Sequence, residues 1–78
     1  MRFIEQLQVV SRIHYLILKK GTGPPVNFAN RLGISRASLF RYLELFKAYG
    51  AQIDYCNYRL SYFYEEPFDI SSFLMKAG

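Results

Sequence analysis

Two arginines lie five residues apart in the stretch Ser35-Arg36-Ala37-Ser38-Leu39-Phe40-Arg41. A guanidinium presents a rigid fork of donors that matches the O6 and N7 acceptors of guanine, so this pair has the chemistry of a base reader. That use requires both residues on one outward helix face, together with Ser35, Ala37 and Phe40. Ser38 adds a hydroxyl able to bond either a base edge or a phosphate. Arg31, Lys47 and Arg59 are further cations better suited to phosphates. The plainer alternative is that Arg36 and Arg41 merely solvate an exposed helix.

The remaining reactive side chains are sparse. One histidine, His14, and one cysteine, Cys56, are present, and the only adjacent carboxylates are Glu65 and Glu66. His14 lies in or beside an apolar stripe with no metal-type residue at i+4, which reads as a core histidine and not a ligand. A lone Cys56 with no basic helix terminus beside it reads as incidental, with redox sensitivity as the alternative. Gly21-Thr22-Gly23 is too short for a dinucleotide-binding loop and follows a helix where that motif follows a strand. Tyr55, Tyr58, Tyr62 and Tyr64 either stack on unpaired bases or, as the simpler reading, cover a small core. No catalytic set, metal site, cofactor or small-molecule ligand is expected.

Charge placement points the same way as the arginines. Residues 1–59 hold nine basic and three acidic side chains, a net +6, whereas residues 60–78 carry a net −2. A basic body suits a polyanionic partner, although ordinary solubility charge accounts for a balance of this size as well. The chain has 78 residues, of which 51% are hydrophobic and 18% aromatic. That composition is globular, and a chain this short buries only roughly 60% of its unfolded surface, which leaves little room for a substrate cavity. No signal peptide is expected, because Arg2, Glu5 and Arg12 interrupt the N-terminal apolar residues. The apolar run Tyr15–Leu18 is far short of the ~20 residues of a spanning helix, so a cytoplasmic protein without membrane attachment is expected.

The elements that must position the arginines follow from periodicity. Residues 2–20 have a helical period, with Phe3, Leu7, Val10, Ile13 and Ile17 on one arc and Val9, Leu16 and Leu18 widening it. Gly21 is expected to take the left-handed conformation that ends this helix. Pro24 or Pro25 opens a short second helix carrying Phe28, Ala29 and Leu32, and Gly33 stops it. Ser35 is an N-cap for a third helix from Arg36 to about Tyr49, with Leu39, Tyr42, Leu43 and Phe46 inward. Gly50 terminates it. The period then becomes two: Ile53 and Tyr55, then Leu60, Tyr62 and Tyr64, with Asn57 tolerating the positive φ of a tight hairpin. Pro67 ends the second strand. Beyond it, Asp69 either caps a short helix through Phe73, Leu74 and Met75 or the segment is an apolar arm.

The residues Phe28-Ala29, Leu32-Gly33-Ile34-Ser35, Ser38-Leu39, Tyr42-Leu43, Tyr49-Gly50-Ala51, Ile53-x-Tyr55 and Tyr62-Phe63-Tyr64 together resemble the winged helix-turn-helix domains of bacterial transcriptional regulators. The nearest likeness is to the small type shared by the biotin repressor's N-terminal domain and the DeoR-like repressors. The resemblance implies an α+β fold of three helices followed by a two-stranded β-hairpin wing over residues 1–66, with residues 67–78 as a tail. It also implies binding of double-stranded DNA by a helix, about 36–49, in the major groove, with transcription regulation as the role; a winged-helix module for protein partners is the alternative. Gly23 departs from the family, standing where a Ser or Thr cap is usual. A specific operator needs two copies, so a homodimer is expected through Val9, Leu16 and Leu18 and the tail residues Phe68, Ile70, Phe73, Leu74 and Met75.

Overall fold

The computed structural model describes residues 3–71. It contains three helices, α1 (Phe3–Leu18), α2 (Pro25–Leu32) and α3 (Arg36–Ala48), followed by the strands β1 (Ile53–Cys56) and β2 (Ser61–Tyr64). The strands pair antiparallel, with Ile53 opposite Tyr64 and Tyr55 opposite Tyr62. This is an α+β chain of three helices and a two-stranded sheet.

The helical periods bury the residues expected of them. Val10, Ile13 and Ile17 from α1, Phe28, Ala29 and Leu32 from α2, and Leu39, Leu43 and Phe46 from α3 meet in one core that Ala51 closes. Each large side chain fully buried there contributes about 1.5–3 kcal/mol relative to exposure, which is how so short a chain can offset its ordering entropy. Val9 and Leu16 pack against this core, so α1 is less over-wide than its sequence suggests; Leu18, at 55% exposed, is the member of that set left in water.

All three helices end in the same way. The N–H groups of Gly21, Ile34 and Ala51 reach back to the carbonyls of Leu16, Ala29 and Phe46 at 3.0–3.1 Å, the six-to-one closure of a Schellman motif. At α2 the left-handed residue is Gly33, φ 71°, which turns the chain directly into the cap of α3. At α1 it is Lys20, φ 56°, and not Gly21. The closure is one residue earlier than the glycine suggests, because the contact Gly21 N–H to Leu16 fixes which residue must be left-handed.

Two further positions differ from expectation. Pro25 opens α2 at its first turn, as expected, but the N-cap is Pro24 and not Gly23, and it makes no side-chain cap bond. Gly23 precedes it at φ 75°, and a Cβ there would lie 3.2 Å from the Asn27 Cβ, so a Ser or Thr in its place would be strained. In the hairpin the loop is four residues, 57–60, and its left-handed residue is Leu60, φ 54°, instead of Asn57. Leu60 therefore lies in the loop and not in the strand, half exposed.

Aromatic rings join the hairpin to the helices. Tyr62 meets Phe28 at a centroid distance of 5.7 Å, and Tyr64 meets His14 at 5.4 Å. Phe68 then covers the junction, with centroids 5.8 Å from Phe46, 5.5 Å from Tyr64 and 6.2 Å from His14. Phe68 and Ile70 thus pack against the core of their own chain. Asp69 accepts hydrogen bonds from the Ser71 backbone N–H and hydroxyl, a local cap. The expected helix or arm through Phe73, Leu74 and Met75 lies outside the described residues.

Candidate nucleic-acid interface

The site is built from the Gly33 turn outward. Ser35 has extended geometry, and its Oγ accepts the Ser38 N–H at 3.1 Å, so the capping side chain serves a helix N–H that lacks an intrahelical carbonyl. The turn sets the azimuth of α3. With Leu39, Leu43 and Phe46 fully or nearly fully buried, Arg36, Ala37, Phe40, Arg41 and Glu44 are exposed on the other side.

A short hydrogen-bond chain then holds one guanidinium. The Ser35 hydroxyl donates to Ser38 Oγ at 3.2 Å, and Arg41 Nη2 donates to the same oxygen at 3.2 Å. Ser38 therefore accepts twice and keeps its own O–H to donate. Arg41 spends one of its five donors on this contact, and the rest remain for a ligand. Of the residues expected together, Ser35, Ser38 and Arg41 are joined by these bonds and Phe40 lies beside Arg41, while Arg36 and Ala37 are exposed in the first turn of α3.

The other cations are spread more widely. Lys47 lies in the last turn of α3, 3.7 Å from Glu44, in an exposed pair of the kind that contributes only about 0–1 kcal/mol. Arg31 is engaged locally, since its Nη1 donates to the Gly21 carbonyl at 3.0 Å and its own carbonyl accepts Arg12 Nη2 at 2.8 Å. It thereby ties the end of α2 to the α1–α2 loop, while its guanidinium stays exposed. Arg59 sits exposed in the hairpin loop, where its N–H donates to Cys56 Sγ at 3.4 Å. Beside it Tyr58 is 96% exposed, whereas Tyr55, Tyr62 and Tyr64 are partly buried in ring contacts. Two of the four hairpin tyrosines, Tyr62 and Tyr64, thus cover the core, and Tyr55 packs on Tyr62.

Two features escape a reading of periodicity. Leu45 stays 46% exposed beside Phe40 at 45%, and with Arg41 and Glu44 they line a shallow apolar concavity of about 520 Å³. A second depression, about 260 Å³, lies between Gln6 of α1 and Ser38, Arg41, Tyr42 and Leu45 of α3. An apolar residue four positions after an outward arginine was the available signal. The other feature is a buried polar knot. Thr22 and Ser61, both essentially inaccessible, bond through their hydroxyls at 3.2 Å; the Thr22 N–H reaches Ser61 Oγ, and the Tyr62 N–H reaches Thr22 Oγ1. It pins the α1–α2 loop to the start of β2, and nothing in a threonine between two glycines announces it.

His14 is half-buried, with Nδ1 2.8 Å from the Tyr64 hydroxyl. Burial holds its imidazole below its ordinary value, and the Asp69 carboxylate pulls weakly the other way. Burial pushes the Tyr64 phenol up, so it stays protonated and can donate to a neutral His14. This is a packed core histidine. Among the described residues, no helix is long and apolar enough to cross a membrane. Compared with known proteins, the chain matches no protein-family model, no curated protein and no solved structure.

Proposed function

We propose that the chain binds double-stranded DNA sequence-specifically, as a small transcriptional regulator of the winged helix-turn-helix kind, with α3 in the major groove and the 57–60 loop as the tip of its wing. The observation that carries this reading is the division of α3: one side is wholly spent on the core, and the other offers Arg36 and a hydrogen-bond-held Arg41 in its N-terminal half. Helices of such pairs meet base edges with their N-terminal residues. The cap at Ser35 adds the partial positive charge of a helix start on the same side. Arg31, Lys47 and Arg59 then take phosphate contacts; of the three, Lys47 is the one paired with an acid among the described residues, and that acid is the exposed Glu44.

A homodimer belongs to the same proposal, since two half-sites need two copies. With Val9, Leu16, Phe68 and Ile70 packed on their own core, the expected dimer surface reduces among the described residues to Leu18, which lies exposed on α1 with Tyr15.

The test is a binding titration against genomic duplex fragments at several salt concentrations. Four or five phosphate contacts give a log–log slope of roughly −4. Selective binding that stays flat with salt, or no saturable binding at all, overturns the reading.

A further inference from the structure

We propose that Phe40 reads a base: its ring meets the C5-methyl of a thymine on the base pair next to the guanine taken by Arg41, so that the preferred DNA carries a guanine and a thymine methyl on neighbouring base pairs. The proposal rests on the duplex-binding reading above and specifies what that surface recognises.

Phe40 is a phenyl ring in the wrong place for folding. It sits in the middle of α3 on the side turned from the core, which Leu39, Leu43 and Phe46 already fill. Almost half of it is in water, and so is almost half of Leu45, its companion in the concavity. A pair of this size is too small to mark a contact surface by its area, and what sets Phe40 apart is its place beside Arg41.

Charge selects the occupant. Arg41 lines the same concavity, and Arg36 lies exposed one turn before Phe40. Glu44 lines the concavity as well, with Lys47 Nζ 3.7 Å from its carboxylate. A polyanion that also presents a small apolar knob suits Arg41, Arg36 and the Phe40 ring together. Among the groups lining the major groove, the thymine methyl is that knob, and phenylalanine is a side chain suited to meet it.

Spacing sets the register. Consecutive helix residues rise about 1.5 Å and base pairs about 3.4 Å, so Phe40 and Arg41 address the same pair or adjacent ones. Arg36, about 6 Å further toward the N-terminus, falls roughly two pairs away. The recognised element is thus about three base pairs long for one copy.

The experiment uses the full chain and a randomised duplex pool. The best selected duplex is resynthesised with deoxyuridine replacing each thymine in turn, which deletes one methyl and alters nothing else in the hydrogen-bonding edge. For the wild type, one position should weaken binding about fourfold, the value of one buried methyl-sized group. Phe40→Ala should bind the thymine duplex about fourfold more weakly and be indifferent to uridine there. Phe40→Leu, which keeps an apolar contact, should retain part of the discrimination. Arg41→Ala should lose the adjacent guanine preference and keep the uridine penalty. Circular dichroism of each variant reports whether the helix is intact. A wild type indifferent to uridine at every thymine, or a Phe40→Ala that keeps the full penalty, overturns the assignment while leaving duplex binding standing. Failure to enrich any duplex overturns both, and self-association that depends on Phe40 would assign the patch to a protein contact instead.

Discussion

The two ends of the molecule are held together by different means. Beyond the buried faces that α2 and α3 share in the core, their turn is set by a backbone closure, a left-handed glycine and one capping serine, and the outward side chains of α3 are left largely unengaged. The junction of α1 with the hairpin is secured by side chains: a run of rings from His14 through Tyr64 and Phe68 to Phe46, and the buried Thr22–Ser61 knot. The outward side of α3 leaves its side chains exposed, whereas the junction spends its side chains on one another. Substitutions in the two regions should therefore separate stability from binding.

The largest effect belongs to the support. Phe68→Ala removes a half-buried ring that touches three others, and should cost about 2–3 kcal/mol by chemical denaturation, at the low end for a phenylalanine because the site is partly open. In a domain whose whole margin is about 5–15 kcal/mol that is a substantial fraction. Truncation at residue 66 should do at least as much harm, and a truncated chain with unchanged stability would show that this ring only rests on the surface.

Thr22→Val comes next. The isosteric change takes the acceptor from the Tyr62 N–H in a site closed to water, at a cost of about 1–3 kcal/mol, while Ser61 Oγ keeps the Thr22 N–H and the Tyr62 carbonyl. The contrast is Arg41→Ala, which should alter stability by less than about 0.5 kcal/mol, as exposed substitutions do, yet weaken selected-duplex binding by about 1–3 kcal/mol. Ser38→Ala should keep the salt slope and lose part of the base preference, because it frees Arg41 without removing its charge. If Arg41→Ala proved as destabilising as Thr22→Val, the division between presenting and supporting regions would fail.

These contrasts also mark what the sequence could and could not convey. The three helices, the Ser35 cap, the Gly33 turn and the outward face of α3 are all local: each follows from a period or from one residue's conformational preference. The misplacements are equally instructive. Gly21 has the freedom expected of the left-handed residue, but the closure of α1 onto Leu16 puts that burden on Lys20. Asn57 has the chemistry of a turn residue, but a four-residue loop places the positive φ on Leu60. Thr22 and Phe68 are opaque for a different reason. Their partners lie 39 and more residues away or on several elements at once, and no local pattern encodes such a meeting. For the site, spacing leaves Arg36, Phe40 and Arg41 exposed on α3, but cannot reveal that Arg31 is tied to Gly21.

The left-handed residues supply a smaller, opposite effect. Lys20→Gly relieves a conformation that costs a side-chain-bearing residue about 1 kcal/mol, against some added freedom in the unfolded chain. A net gain of about 0.5 kcal/mol is expected, whereas Gly33→Ala, where no clash intervenes, should lose about 1 kcal/mol from conformation alone. Equal effects at the two sites would mean that the closures are not equivalent.

The smallest effect concerns pH and tests the supporting junction alone. Burial lowers the His14 value in the folded chain below 6.5, its unfolded reference, with Asp69 opposing. As pH falls past 6.5 the unfolded chain takes up the proton first, so it is favoured. Stability is therefore full above that point, declines as pH falls toward the lowered folded value, and is flat again below it until carboxylates titrate. Protonation also puts a hydrogen on Nδ1 where the neutral ring could accept the Tyr64 O–H, so the 2.8 Å contact must reorganise. His14→Gln should abolish this decline while sparing the high-pH stability to within the cost of a lost ring contact. With one histidine in the chain, its ring resonances titrate without ambiguity. A midpoint at or above the unfolded value would show that Asp69 outweighs burial, and the pH dependence would then run the other way.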